Sequence, residues 1–323
     1  MRRVLTLVFC LVLPAAALEP IRVAPSVYYI RGESGVPSVA NRGHISNAGF
    51  VVTNDGVVVF DALGTPLLGT EFIEAIRKVT REPIRRVIVS HYHADHFYGL
   101  PPFKDLGAEI WAHRSARAYL DSDAARLRLA ERQATLAPWI DAKLRLVPAD
   151  LWLDGDVSFK MGGLTFRVFP VGPAHTPEDL AMVVEERNVL FVGDLMFAGR
   201  LPFVGDADSK AWIAAIDRIV KFNPQVMIGG HGDATGNAAA DIRFTRDYLV
   251  YLREKMGAAA MDLEDFDAAY AKTDWSRFSH LPAFDLTNRR NAFNTYLRMQ
   301  GADLVLEQED DLHLVGAVRK IEG

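Results

Sequence analysis

Two kinds of hydrophobic pattern alternate along the chain. Residues 27–30, Val-Tyr-Tyr-Ile, predict a strand that gives way to a Gly/Pro/Ser loop ending near Gly43. Residues 49–53 and 57–61 are apolar, β-branched runs separated by Asn54-Asp55-Gly56. An Asp-Gly pair there supplies the positive φ of a tight hairpin. From Thr65 to Thr80 the apolar positions Phe72, Ile73, Ile76 and Val79 recur at helical spacing, and Pro83 closes the segment. Ile84 to Val89 reads as a buried strand that runs into a histidine-rich loop. A second strand–helix unit follows, residues 108–112 and then a charged helix over 115–133. Residues 134–150 carry Pro138, Trp139 and Pro148 and read as an irregular connection.

Beyond Asp156 the pattern returns to strands at 157–159, 164–169, 181–184 and 189–192. A helix over 209–222 leads through Pro224 to a strand at 226–228. After Ala238 the spacing is mainly helical, with a last strand expected at 312–318. Two successive halves thus mix hairpins with strand–helix units. That mixture favours an α+β chain, two mixed sheets with helices packed outside them, over a doubly wound parallel sheet. No Gly-x-Gly-x-x-Gly follows an early strand, so a nucleotide-binding reading has no support.

Half of the 323 residues are hydrophobic and 24% are charged, enough apolar material for a large core. The net charge of −5, without a basic block, argues against nucleic acid as a partner. The N-terminus differs from the rest. Met1-Arg2-Arg3 precedes an apolar run from Val4 to Leu13, then Pro14 and Ala15-Ala16-Ala17. This is the pattern of a secretory signal cut after Ala17, and the run is too short to span a bilayer. The expectation is a periplasmic or secreted protein, without a membrane segment once the signal is removed. Its parts are a signal at 1–17, a main domain at 18–258 and a mainly helical extension at 259–323. Cys10 lies inside the signal and is the chain's single cysteine. Disulfides, thiolate ligands and a cysteine nucleophile are therefore excluded from the mature chain.

Candidate chemistry concentrates after the strand 84–89. Ser90-His91-Tyr92-His93-Ala94-Asp95-His96 places four ligand-type side chains in six residues. In extended chain His91 and His93 point the same way, and a turn at Asp95-His96 can aim that pair at a second point. Further candidates sit in turns or after strands: His175, Asp194 after Gly193, and His231 in Gly229-Gly230-His231-Gly232. His-x-His-x-Asp-His, a later His, a Gly-Asp after a strand and a Gly-His-Gly, in this order, resemble the metallo-β-lactamase superfamily. The resemblance covers about residues 27–235 and implies a four-layer αββα sandwich with a helical C-terminal extension. It also implies two metal sites. His91, His93 and His175 would hold the first metal, Asp95, His96 and His231 the second, and Asp194 would bridge both. Imidazoles and carboxylates suit two zinc ions and tolerate iron or manganese. Asp61, at the end of the hairpin, is the candidate to orient a ligand from behind. His44, His113, His280 and His313 stand outside the ordered set and are read as structural or surface residues.

The resemblance implies hydrolysis of an ester, thioester or amide carbonyl of a small molecule, a β-lactam included. A metal-bridging hydroxide would attack, and Asp95 or Asp194 would manage the proton. Hydroxyacylglutathione hydrolases share all seven ligands, yet no match to their glutathione-binding pattern occurs. The segment from Gly199 to Asp208 is similar to exported members linked to sulfur-oxidation and quinoprotein systems. Two alternatives are an iron-dependent oxygenase of sulfur compounds and a non-catalytic metal- or partner-binding protein of an exported redox system. For substrate contacts the expectations are Trp139 on a lid formed by 134–150, and Arg200 and Phe203 after the bridging Asp. The helical end is expected to pack on the core, cover the pocket or form a dimer face.

Overall fold

The computed structural model describes residues 17–205 and 207–318, and over 302–318 the backbone alone. The expected signal peptide, with Cys10, lies outside the described residues. In the first half the elements are β1 (Ile21–Ala24), β2 (Val27–Ile30), β3 (Ala48–Thr53), β4 (Gly56–Phe60), α1 (Pro66–Val79) and β5 (Ile84–Ile88). Then come α2 (Ala94–Phe97), α3 (Pro101–Asp105), β6 (Glu109–His113), α4 (Ala116–Leu120), α5 (Asp123–Thr135) and β7 (Leu151–Leu153). The second half holds β8 (Val157–Met161), β9 (Leu164–Pro170), β10 (Leu180–Val184), β11 (Val189–Phe197), α6 (Ser209–Ile219) and β12 (Val226–His231). Helices α7 (Ala238–Met261), α8 (Phe266–Lys272) and α9 (Phe284–Val318) complete it.

Among the described residues the strands form two mixed sheets. The first runs β1 to β7 in sequence order, antiparallel as far as β4 and parallel from β4 on. The second runs β12-β11-β10-β9-β8, with only β11 and β12 parallel. The Asp-Gly signal is met by Gly56 at φ +137°, which sets the register Val51↔Val58. Alternation along β4 then divides its side chains between two seams. Val57 and Val59 face the helices of the first half with Phe50, Phe72 and Phe103, whereas Val58 and Phe60 meet Phe166, Met182 and Phe191 of the second sheet. A third seam lies outside that sheet, where Leu190, Val192 and Met227 pack on Trp212, Ile216 and Leu249. Three seams require four layers, helix–sheet–sheet–helix.

Local signals explain the helix ends. Thr65 Oγ1 accepts from the Leu68 amide, Pro66 occupies the first turn, and Arg77 and Lys78 sit in the last turn of α1. Asp208 caps α6 in the same way, through the amides of Lys210 and Ala211.

The structure departs from the expected pattern in four places. The charged helix is two helices, α4 and α5, because Ser122 turns extended and caps a new start at Asp123. The expected strand at 312–318 continues α9 instead. A strand needs a sheet edge to satisfy its backbone, whereas a helix satisfies it locally. The short strands β1 and β7 carry little pattern of their own and exist by pairing with β2 and β6. The strand expected to end at Val192 runs on to Phe197, so Asp194 lies inside β11. Helix α7 crosses position 258, and residues of α8 and α9 share its core. No helix among the described residues is long and apolar enough to cross a membrane.

Candidate metal centre

The seven candidate ligands leave four strands at one rim of the sandwich. His91, His93, Asp95 and His96 follow β5, the last two in the single turn of α2. His175 stands in the β9–β10 loop, Asp194 in β11, and His231 at the end of β12. The rim is tight because the sheets are tied there, by the Leu180 amide donating to the Ser90 carbonyl and the Asn47 amide donating to the Gly230 carbonyl. Two glycines permit the approach. Gly193 holds φ +53° beside Ser90, and a Cβ on Gly230 would fall 1.9 Å from Asp194 Oδ1.

The ligand-type atoms converge in two groups, each spanning no more than 4.8 Å: His91, His93, His175 and Asp194, then Asp95, His96 and His231. Asp194 links them. Its Oδ2 lies 3.2 Å from His175 Nε2, 3.9 Å from His91 Nε2 and 3.4 Å from His231 Nε2, and its Oδ1 lies 3.2 Å from His96 Nε2. Asp95 Oδ2 sits 3.5 Å from His231 Nε2 and 3.6 Å from His96 Nε2. His175 Nε2 and His93 Nδ1 are 2.9 Å apart.

Hydrogen bonds from behind fix three imidazoles. Asp61 accepts from the Ser90 amide, the Ser90 hydroxyl and His96 Nδ1, at 2.7 to 2.9 Å. With its proton given to Asp61, Ser90 Oγ can only accept from His91 Nδ1 at 2.9 Å. The Ile45 carbonyl, also only an acceptor, takes the Nδ1 proton of His231 at 2.7 Å. Each ring therefore turns Nε2 inward. Among the described residues His91 Nε2, His96 Nε2 and Asp194 Oδ1 are buried without a hydrogen-bond partner. Orphaned acceptors in a dry site are costly. A cation in each group satisfies them, so the donor set fits divalent metals.

The electrostatics agree. Burial and the neighbouring His175 push His93 down to about 3, and burial lowers His175 to about 4 against the pull of Asp194. Burial and His96 hold His91 well below the ordinary range. Neutral imidazole is the form that ligates. Burial would lower His96 also, yet the carboxylates of Asp194, Asp95 and Asp61 outweigh it and raise the group well above the ordinary value. A field that holds a proton there holds a metal cation equally well.

A cavity of about 300 Å³ opens above the cluster, with His93, Asp95, Asp194 and His231 lining it. Arg200 and Phe203 line it. Arg200 is buried, with Nη1 at 3.3 Å from His231 Nδ1, a packing contact because that nitrogen's proton goes to Ile45. Trp139 does not reach it. Its indole donates to the Val39 carbonyl and lines a separate depression with Pro66 and Pro101, so 134–150 places no tryptophan over the cluster. Asp61 is buried at φ +62°, a strained backbone held in place by its three donors. His44 is buried, His113 half-buried and His280 exposed, and none joins either group. The sequence reading missed Ser90 and the Ile45–Asn47 loop. Asn47 Nδ2 donates to the carbonyls of Gly229 and Gly232 and holds the end of β12. Ser90 was signalled only by its place beside His91. Asn47 had no local signal.

Comparison with known proteins agrees with this geometry. The sequence profile described as the metallo-beta-lactamase superfamily matches residues 41–231, more than half of the chain. A type 2 metallo-β-lactamase of Elizabethkingia meningoseptica is 28% identical over 221 residues, 67% of this chain and 80% of that protein. Among solved structures, a metallo-β-lactamase from Pontibacter korlensis superposes with TM-score 0.57 at 20% identity, covering 72% of this chain and 99% of that one. A stereoselective inverting sec-alkylsulfatase from a Pseudomonas species gives TM-score 0.66 at 18% identity and covers 87% of this chain, which spans 50% of the sulfatase.

Proposed function

The chain belongs to the metallo-β-lactamase superfamily, and from that premise we propose that it is an exported dinuclear-zinc hydrolase of a small-molecule ester, thioester or amide. His91, His93 and His175 would hold one ion, Asp95, His96 and His231 the other, with Asp194 between them. A pair of dications there supplies an activated water and a Lewis acid for the oxygen that gains charge. The protein's own part is to present ligands in fixed protonation states. Asp61, Ser90 and the Ile45 carbonyl set the tautomers of His96, His91 and His231, so each ring presents Nε2 to the site. Asp95, with 18% of its side chain exposed against 3% for Asp194, faces the cavity and is placed to hand a proton to the leaving group.

The observation that carries this reading is the sharing of Asp194 by both groups. It is tested by metal analysis of the purified protein, expected to give close to two zinc ions per chain, and by a chromogenic panel of lactams, esters and thioesters. Asp194→Ala is expected to keep its circular-dichroism spectrum and lose at least about a hundredfold in kcat/KM, the scale of removing a central electrostatic group. Full activity in that variant would refute the bridging role. One observation favours a second reading, a sulfate monoester as substrate. The alkylsulfatase likeness reaches 87% of the chain, beyond what the lactamase likeness covers. Alkyl sulfates therefore belong in the panel, and turnover of these alone would select that reading. An N-terminal sequence of the exported protein starting after Ala17 is the expected outcome for processing.

A further inference from the structure

We infer that the outer wall of the cavity, built by α5 and by the C-terminal helix α9, is an anion-recognition site that selects substrates whose end remote from the scissile bond is negatively charged. This rests on the hydrolase reading for the reacting centre and names the substrate class that centre serves.

On α5, Arg128, Glu131, Arg132 and Thr135 line the cavity. Their spacing is that of one helix face, and among the hydrophobic residues of α5 only Ala125 is buried. Ala125 and the half-buried Leu129 anchor α5 on the core, while the face with Arg128, Glu131, Arg132 and Thr135 is polar and borders the cavity. Across from it α9 contributes Thr287 and Arg290, so the extension completes the wall. Arg290 lies over the Phe203 ring, 5.9 Å from its centre, and Phe203 packs edge-on against His93 and His175. That stack places the guanidinium above the ligand cluster.

Some arginines of the chain are ion-paired, as in Arg31–Asp233, Arg86–Glu109 and Arg246–Asp217, whereas those lining the cavity have little carboxylate company. In the cavity Arg128 meets Glu131 at 3.6 Å, while Arg132 and Arg290 have no carboxylate within ion-pair distance among the described residues. Deeper in, Arg200 is 3% exposed and its buried Nε has no hydrogen-bond partner. Four arginines against one glutamate, apart from the carboxylates of the metal cluster, is a local excess of positive charge in a chain whose net charge is −5. Unpaired guanidiniums around a cavity bind oxyanions, through two parallel N–H donors where geometry allows. A substrate held so would keep its reactive group over the ligand cluster and its charged tail between α5 and α9.

The test compares two esters that share a leaving group, para-nitrophenyl acetate and mono-para-nitrophenyl glutarate, on the zinc-loaded protein. The expected wild-type preference is for the charged ester in kcat/KM. Arg132→Gln and Arg290→Gln should each lower that preference about tenfold, and the pair more. Lysine at both positions should restore part of it, and Arg289→Gln, an exposed neighbour on α9, should leave it intact. Calorimetric titration with unreactive glutarate, against neutral glutaramide, supplies the binding readout. Arginine-dependent glutarate binding without ester turnover would support the anion site and count against the hydrolase reading. Equal preference in wild type and double variant, or equal affinity for glutarate and glutaramide, would overturn the proposal.

Discussion

Asp61 shows how much one side chain behind a ligand decides. It sits at positive φ, accepts three hydrogen bonds and fixes the His96 ring. Asp61→Asn keeps a residue tolerant of that φ but loses the charge and one acceptor. It is expected to weaken metal affinity by about 10- to 100-fold, the usual cost of removing such support. Competition with a chromogenic chelator measures it, and wild-type affinity would show that His96 orients itself. His44 makes a separate prediction about pH. Burial, with Arg42 nearby, lowers it from 6.5 to about 4, and its Nε2 has no partner among the described residues. Because the folded pKa is depressed, the unfolded chain takes up the proton first as pH falls. The contribution is complete above pH 6.5 and is lost between 6.5 and 4. At about 1.4 kcal/mol per unit it amounts to no more than about 3.5 kcal/mol. Denaturant titrations across that window should show His44→Gln with a flatter pH dependence than the wild type. Parallel curves would remove His44 from the account.

At the scale of elements, the decisive feature is the spacing of β11 and β12. They run parallel with register shifts at Gly193 and Phe197, and the shift carries Asp194 against the backbone of Gly230. A methyl group there meets Asp194 Oδ1 and the backbone of residues 193 and 194, atoms that cannot move away singly. Gly230→Ala is therefore expected to weaken metal binding tenfold or more, in line with displacing a ligand by a few tenths of an ångström. Zinc titration followed by calorimetry checks this, with a melting curve to confirm folding. Strands of this kind were legible in the sequence because β-branched runs such as 57–59 are buried on both faces. The split between α4 and α5 was less so, since Ser122 is an ordinary polar residue until its neighbours' φ and ψ make it a cap. The 312–318 segment misled because alternation describes a strand only where a partner edge exists.

For the whole molecule, the ligand cluster is a cost that bound ions offset. Two carboxylates and five imidazoles, most of them buried, meet where sheets from both halves touch, so metal binding and folding share their free energy. Chelation is expected to lower the melting temperature by several degrees, since an ion at a thousandfold its Kd stabilises by about 4 kcal/mol. Differential scanning calorimetry with and without chelator, then with zinc restored, tests both the loss and its reversal. An unchanged transition would separate the cluster from stability.

The sequence by itself marked most strands and helices and the candidate ligand side chains, because hydrophobic period and side-chain chemistry are local properties. His91 to His96 lie within six residues after β5, and His175, Asp194 and His231 follow or lie in strands that the pattern already marks. Only the tertiary structure decided which atoms meet. Asn47 bracing Gly229 and Gly232, Trp139 turned away to Val39, and Arg290 brought from α9 to a cavity floored by His93 are contacts across 90 or more residues. Such contacts leave no periodic trace, because they depend on how packed layers stack and not on any neighbour in the chain.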